Sequence, residues 1–547
     1  LLERTDDNTV SDIPADLIYT GALANTGEKL ELRNASNNLI DLVDSSSGWF
    51  VGQASPNYVS MERISPSLES ASSNWASNNQ VPWEGWQGKD ALGNRINGTP
   101  KTKNSVSKNP TTLSQGGFLI DNDFTLTLLG SPYLVEGSIN VAAGAKLIIE
   151  PGVTIKFKHS NYWKSELKVE GELTAIGTEA QKIVFTSSST QPAVGDWEWL
   201  YFKNAQAILD NVVVQYAGKK EGNPPFSPPF TRGAVYIEGG NVRIKNSIIE
   251  KNQTLGIWLK NSSNSLIEGA TLSDIQGDWE KPAAIFIENS NPIIKNSTFQ
   301  NNNIGILIES SASSTIENNS FENNQIPIKT NTLLANFSGN TAQNNNLNGI
   351  LVSDLGFSET INQIDWQKAS LPYVLEGSVT ISSGKTLIIH PGVTVKLKSG
   401  GRIYIDGTLK AQGSESEKIV FTSLSQEVAG SWHFISFSAS SVNSILAHDI
   451  IRYGGWYNVF QGGTSAKSGA VKVSGAALSI ENSLFESNLY AGLELLNSTT
   501  TLENAAFNKN EHGIYVESGD CPNLAGVSFG EGSNANTIDV WPSSCVE

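Results

Sequence analysis

The chain is poor in sulfur and in positive charge. Its 547 residues include two cysteines, one methionine and five histidines, and 54 acidic residues outweigh 37 Lys and Arg to leave a net charge of −17. No cluster of Lys or Arg is present, which argues against a nucleic-acid partner, because binding a phosphate backbone relies on clustered cations. No run approaches 18 uninterrupted apolar residues, so no membrane-spanning helix is expected. His159, His390, His433, His448 and His512 show neither HxxxH nor HExxH spacing, and no zinc site follows from them. No GxSxG, P-loop or dinucleotide fingerprint stands out. Helical periodicity is nearly missing. At Leu1 the chain shows no leader pattern, and it reads as a processed or partial product of a longer protein.

What is present is repetition. Pro132 to Lys158 and Pro372 to Lys398 carry the same residue at 15 of 27 positions, 240 residues apart. The correspondence continues from Gly171-Glu-Leu-Thr-Ala to Gly407-Thr-Leu-Lys-Ala, from Lys182-Ile-Val-Phe-Thr-Ser to Lys418-Ile-Val-Phe-Thr-Ser, and from Gly233-Ala-Val to Gly469-Ala-Val. Within each copy, short alternating stretches such as Val153-Thr-Ile-Lys-Phe-Lys have the period of half-buried strands. A finer repeat of roughly 22 residues ends in an apolar residue followed by Asn or Gly. It occurs at Ile244-Lys-Asn-Ser, Ile294-Lys-Asn-Ser, Ile316-Glu-Asn-Asn-Ser and Ile480-Glu-Asn-Ser. Two or three strands per period with Asn-rich corners predict a parallel β-helix, in which stacked coils align inward Ile, Val, Leu and Phe into one interior column. Asn suits the corners because it tolerates the left-handed backbone region and can stack its amide on the next coil.

The blocks Gly137-Ser-Ile-Asn-Val-Ala-Ala-Gly-Ala-Lys-Leu-Ile-Ile-Glu-Pro-Gly-Val and Gly377 to Val393 resemble the opening coils of right-handed parallel β-helix domains of large bacterial secreted and surface proteins. Residues 1–108 lack the coil period. There Gly27-Glu-Lys-Leu-Glu-Leu-Arg-Asn, Ser60-Met-Glu-Arg-Ile, Asn74-Trp-Ala-Ser and Asn97-Gly-Thr-Pro-Lys resemble the latter part of a lamin-tail domain, an immunoglobulin-like sandwich used as an adhesion or assembly module. Its earlier strands are missing from the resemblance. A sandwich lacking strands exposes unpaired edges, which a neighbouring molecule can fill. The expected architecture is therefore all-β: an incomplete lamin-tail-like sandwich over 1–108, a linker over 109–117, and two right-handed parallel β-helix units over 118–357 and 358–547.

Candidate chemistry is sparse. Asp196 and Glu198, two apart in Gly195-Asp-Trp-Glu-Trp-Leu-Tyr-Phe, are expected on one face of a strand. In the second copy their places are taken by Ser431 and His433, while Trp197 matches Trp432, so packing rather than acid chemistry is the shared element and no catalytic residue is assigned. Ca²⁺ could bind Asp121-Asn-Asp or Asp6-Asp-Asn, although neither fits a known calcium loop, and no cofactor is expected. Cys521 and Cys545, 24 residues apart, suit one disulfide closing the C-terminal end. Two irregular insertions at matching places carry the candidate contact residues: Phe226 and Phe230 in the first, and Trp456, Tyr457 and Phe460 in the second. Exposed aromatics on loops favour protein or sugar contacts, and the alternative is that they fold back over apolar side surface. The expected function is that of a non-enzymatic, extracellular cell-surface protein that assembles with itself into a surface layer or filament. A carbohydrate-binding adhesin that contacts cell-wall or surface glycans is the alternative, with a polysaccharide lyase or hydrolase behind it.

Overall fold

The structure is a computed structural model. It describes residues 1–68, 70–81, 86–107, 110–115, 117–159, 165–220, 233–277, 281–309, 313–331, 335–355, 357, 359, 361–459 and 465–546. Phe226, Phe230 and Phe460 lie outside these residues. The described secondary structure is strands joined by turns and a few single-turn 3₁₀ segments. Two compact units divide the chain. One comprises Leu1–Tyr236 and Val242–Gln253, the other Ile237–Asn241 and Thr254–Glu547.

In the first unit, three parallel ladders form the coils. One stacks Thr111–Gln115, Tyr133–Glu136, Thr154–Phe157, Ile183–Ser187, Val212–Gln215 and Ile248–Glu250. The second stacks Phe118–Ile120, Ile139–Val141, Leu167–Val169 and Leu200–Lys203. The third stacks Phe124–Leu126, Lys146–Ile149, Glu172–Ile176 and Gln206–Asp210. Because side chains alternate along a strand, the in-register ladders carry every second residue inward. Tyr133, Ile155, Phe185, Val214 and Ile249 are mutual partners in sequence and all are buried.

Residues 1–107 of this unit are built differently. Leu2–Arg4 pairs in parallel with Leu17–Tyr19, Lys29–Arg33 antiparallel with Leu39–Asp44, and Met61–Arg63 antiparallel with Trp75–Ser77. Among the described residues these three ribbons do not join into a larger sheet. A buried carboxylate organises part of the region. Glu62 accepts hydrogen bonds from Asn78 Nδ2 (2.7 Å), Thr99 Oγ1 (2.6 Å) and Ser105 Oγ (2.6 Å), so the buried charge is compensated.

The second unit contains a ladder of strands, Ile257–Lys260, Ala283–Glu288, Ile304–Glu309, Ile326–Thr330 and Ile350–Val352, in which the apolar alternation is preceded by Gly256, Gly305 and Gly349 in three and by Ala284 and Pro327 in the other two. The glycine has a packing reason. A Cβ at Gly305 would lie 2.5 Å from the Pro327 carbonyl oxygen and 2.7 Å from the Phe321 ring, so only glycine allows the coils to close over the interior phenylalanines. Those rings stack, Phe299 on Phe321 at 4.8 Å and, in the later coils, Phe485 on Phe507 at 4.8 Å.

At the sequence restart the ladder does not break. Ile350–Val352 pairs with Tyr373–Leu375, which continues to Thr394–Leu397, Ile419–Ser423, Asp449–Arg452, Leu484–Glu486 and Ala506–Asn508. Between most successive members of this ladder two strands intervene, with the Trp456–Ser468 ribbon added between Asp449–Arg452 and Leu484–Glu486, and with one strand and an isolated bridge at Asn336 between Ile326–Thr330 and Ile350–Val352. Between Val352 and Tyr373 one described strand intervenes, Gln363–Trp366. Across this junction the repeat shifts by one face. Strands that precede an asparagine corner (Thr271–Ser273, Thr298–Gln300, Ser320–Glu322, Thr341–Gln343) form their own ladder before the junction, whereas their counterparts Leu484–Glu486 and Ala506–Asn508 join the glycine-strand ladder after it. The later glycine-type strands, Val471–Ser474, Ala491–Leu496 and His512–Ser518, consequently occupy a different ladder, which also holds Ser378–Ile381, Arg402–Ile405, Phe434–Phe437 and Ile538–Trp541.

The asparagine corners are buried amide ladders. Asn302 donates from Nδ2 to the Leu272 carbonyl and to Asn324 Oδ1, and Asn324 does the same to Phe299 and Asn345. Asn488, Asn510 and Asn536 form a second ladder of the same design. Asn301, Asn323, Asn344, Ser487 and Lys509, each just before a ladder amide, have φ near +55°, whereas Ala535 before the last amide, Asn536, does not. At the C-terminal end Cys521 and Cys545 are disulfide-bonded, with Cα atoms 5.3 Å apart.

Candidate functional site: an aromatic face on the second unit

Asp196 and Glu198 do not sit in a strand. The strand begins at Leu200, and both acids lie in the turn before it. Between them Trp197 is fully buried, stacked on Phe157 at 4.1 Å and donating from Nε1 to the Gln215 carbonyl. Trp432 is buried likewise and donates to the Arg452 carbonyl, so the matched tryptophans are a packing element. Both carboxylates are occupied. Asp196 Oδ2 accepts from Ser187 Oγ (2.6 Å) and the Ala193 amide (3.0 Å), while Glu198 Oε2 accepts from the Ser165 amide (2.6 Å). Lys219 Nζ stands 3.5 Å from Glu198 Oε1. Burial raises the Glu198 pKa, with that amide and Lys219 opposing the rise. These acids tie turns together.

The second insertion contributes a ribbon. Trp456–Val459 and Ser465–Ser468 form an antiparallel ribbon in which Trp456 faces Ser468 and Tyr457 faces Lys467. Trp456 is half-buried on the His433 ring (5.4 Å), so it folds back over the coils, whereas Tyr457 is 51% exposed.

Beneath the ribbon lies a sheet face that the sequence did not single out. In-register pairing places Tyr404, Ser436, Lys472, Glu494, Tyr515 and Trp541 in one outward column. At one end Tyr404 meets Phe434 edge-on at 5.7 Å, and Arg402 lies over Phe434. Arg402 Nε also donates to His433 Nδ1 (3.0 Å), a bond that requires neutral imidazole. Burial, then the Arg402 charge, lower the His433 pKa and so favour that neutral form. At the other end Tyr490, His512 and Tyr515 form a three-ring cluster with centroids 5.1–5.4 Å apart. Lys467 of the ribbon sits over Tyr490 at 4.4 Å and Tyr515 at 5.2 Å. Glu494 is buried and held by Lys472 Nζ (2.8 Å) and the Gly469 amide (2.8 Å). Tyr490 has φ +69°, a strained setting for a bulky residue that its surroundings must maintain. A signal did exist in the sequence: Lys472, Glu494 and Tyr515 recur at the coil period, as do Tyr490 and His512.

Among the described residues no group of three or more His, Cys, Asp or Glu side chains is placed to hold a metal ion, and no helix is long and apolar enough to cross a membrane.

Two family models match the chain, one described as a right handed beta helix region over residues 233–388 and one as a pectate-lyase like beta helix domain over residues 119–215. With the parallel ladders, they define a right-handed parallel β-helix protein. Protein bark beetle of Drosophila melanogaster is 41% identical over 88 residues, 16% of this chain, and that match takes in 3% of the fly protein's length.

Proposed function

We propose that this chain is an extracellular, non-catalytic glycan-binding β-helix protein whose contact surface is the aromatic face of the second unit. The observation that carries the reading is the column from Tyr404 to Trp541 with the ribbon above it. Pyranose rings present apolar C–H faces that stack on aromatic rings, while the Lys472–Glu494 pair and Lys467 supply hydrogen bonds beside them. The disulfide supports an oxidising compartment, and the lamin-tail resemblance of residues 1–108 fits a bacterial surface protein. The pectate-lyase likeness of residues 119–215 favours a polysaccharide partner. Within that segment, the engagement of Asp196 and Glu198 with neighbouring turns supports binding over cleavage. Against a panel of plant, bacterial and host glycans, Tyr515→Ala and Trp456→Ala are expected to weaken binding tenfold or more with unchanged thermal melting. Binding unaffected by both would sink the reading. Release of unsaturated sugar ends that disappears in Asp196→Asn would replace it with a lyase.

A second reading, self-assembly, is favoured by one observation. The two-stranded ribbon of Lys29–Arg33 and Leu39–Asp44 leaves Leu32 62% and Ile40 61% exposed, and Leu2 and Leu17 are exposed nearby in sequence. Unpaired strand edges with apolar side chains invite a strand from another copy. Sedimentation at high concentration, with and without Ca²⁺, is expected to show oligomers that Leu32→Lys and Ile40→Lys dissolve. A monomer throughout would exclude assembly by this route.

A further inference from the structure

We infer that the cleft along the asparagine corners of the second unit is a binding site for an uncharged glycan chain. The site is separate from the aromatic face, and the inference does not depend on that face binding anything. The cleft has a volume of about 430 Å³. Three successive corners read Asn301-Asn302-Asn303, Asn323-Asn324-Gln325 and Asn344-Asn345-Asn346, and the preceding one reads Asp274-Ile275-Gln276. The middle residue of each is buried, and the amides at 302, 324 and 345 are fully engaged in their ladder. The first and third residues of each corner are exposed. Two rows of side chains, stepped one coil rise of about 4.8 Å along each row, therefore flank a rigid floor.

Among the described residues, Asn301 bonds Asp274 and Asn346 bonds Gln325. The amides of Gln276, Asn303, Asn323 and Asn344 make no such side-chain bond and line the cleft with unused donors and acceptors. A primary amide donates and accepts at once, so it can close a pair of hydrogen bonds with neighbouring sugar hydroxyls. Because the ladder fixes the corners before any ligand arrives, little ordering entropy opposes binding. Among the described residues the lining carries no cation and no aromatic ring. An acidic sugar would find no counter-charge there, with Asp274 nearby and a net charge of −17 on the chain. The chemistry fits neutral hexose chains held by hydrogen bonds.

Calorimetry on the whole chain tests this with hexasaccharides of β-linked glucose, of mannose and of galacturonic acid. Asn303→Asp and Asn323→Asp together keep side-chain size, remove the NH₂ donors and leave the buried ladder intact. At least one neutral hexasaccharide is expected to bind with an affinity unchanged between low and high salt, to weaken tenfold or more in the double variant, and to be unaffected by Tyr515→Ala. The inference is overturned if neither neutral hexasaccharide binds, if only the galacturonate binds, or if the double variant binds as the parent does. Loss of all binding in Tyr515→Ala with none in the double variant would discard the cleft and leave the aromatic face standing.

Discussion

Asp449 is fully buried at a ladder position that Val212 fills in the first copy, and neither carboxyl oxygen has a hydrogen-bond partner. Burial alone pushes its pKa well above the ordinary 3.8, so the folded chain keeps a proton that the unfolded chain releases. The favourable contribution is complete below pH 3.8 and is lost as pH rises through the raised value. Asp449→Val restores the residue type of the first copy and is expected to stabilise the surrounding coils by on the order of 2 kcal/mol at neutral pH. The gain should shrink as the pH falls toward 4. Melting of both proteins across that range checks it, and an equal difference at every pH would refute the account. Asp449 is in the sequence for anyone to see, yet its isolation is not. A polar residue in a period-2 pattern reads as outward, and only the register of Ile419 against Asp449 shows that it points in.

The corners belong to the scale of elements. Asn and Gly at a 22-residue period announced coil corners before any coordinates, because few other residues accept φ near +55° at repeated positions. The sequence did not say which Asn of a run is buried. In Asn323-Asn324-Gln325 the middle amide accepts from the Asn302 amide and donates to the Phe299 carbonyl and to Asn345. Asn324→Leu would leave several buried backbone groups without partners and is expected to cost about 3 kcal/mol or more, whereas Asn303→Ala on the exposed row should change stability by less than about 0.5 kcal/mol. Stacked repeats interact mainly with their neighbours, so the loss should appear as faster hydrogen exchange over the coils from 299 to 345 rather than throughout the chain. Uniform acceleration would show that the corner is not a local device. At the same scale Asp196 and Glu198 illustrate a missed boundary. Alternating letters resemble a strand, but Trp197 turns inward within a bend and leaves the acids to bind neighbouring turns.

For the whole molecule, periodicity alone determined the class. A strand alternation nested in a 22-residue repeat has few ways to bury its apolar side chains, and stacking into a parallel β-helix is one that also pairs every interior backbone group. The duplicated Pro132 and Pro372 blocks likewise fixed that one plan is used twice. Tertiary structure decided how the copies join. The pairing of Ile350–Val352 with Tyr373–Leu375, with one described strand between them, moves the asparagine-corner strands to the next ladder, and no local sequence rule encodes such a slip. It also decided the surfaces. Tyr404, Lys472, Glu494, Tyr515 and Trp541 are spread over 138 positions of the chain, and only parallel in-register stacking brings them into one column. Sequence fixes what repeats, because burial must be satisfied coil by coil; register fixes what meets, because contact between coils depends on alignment that each coil cannot specify by itself.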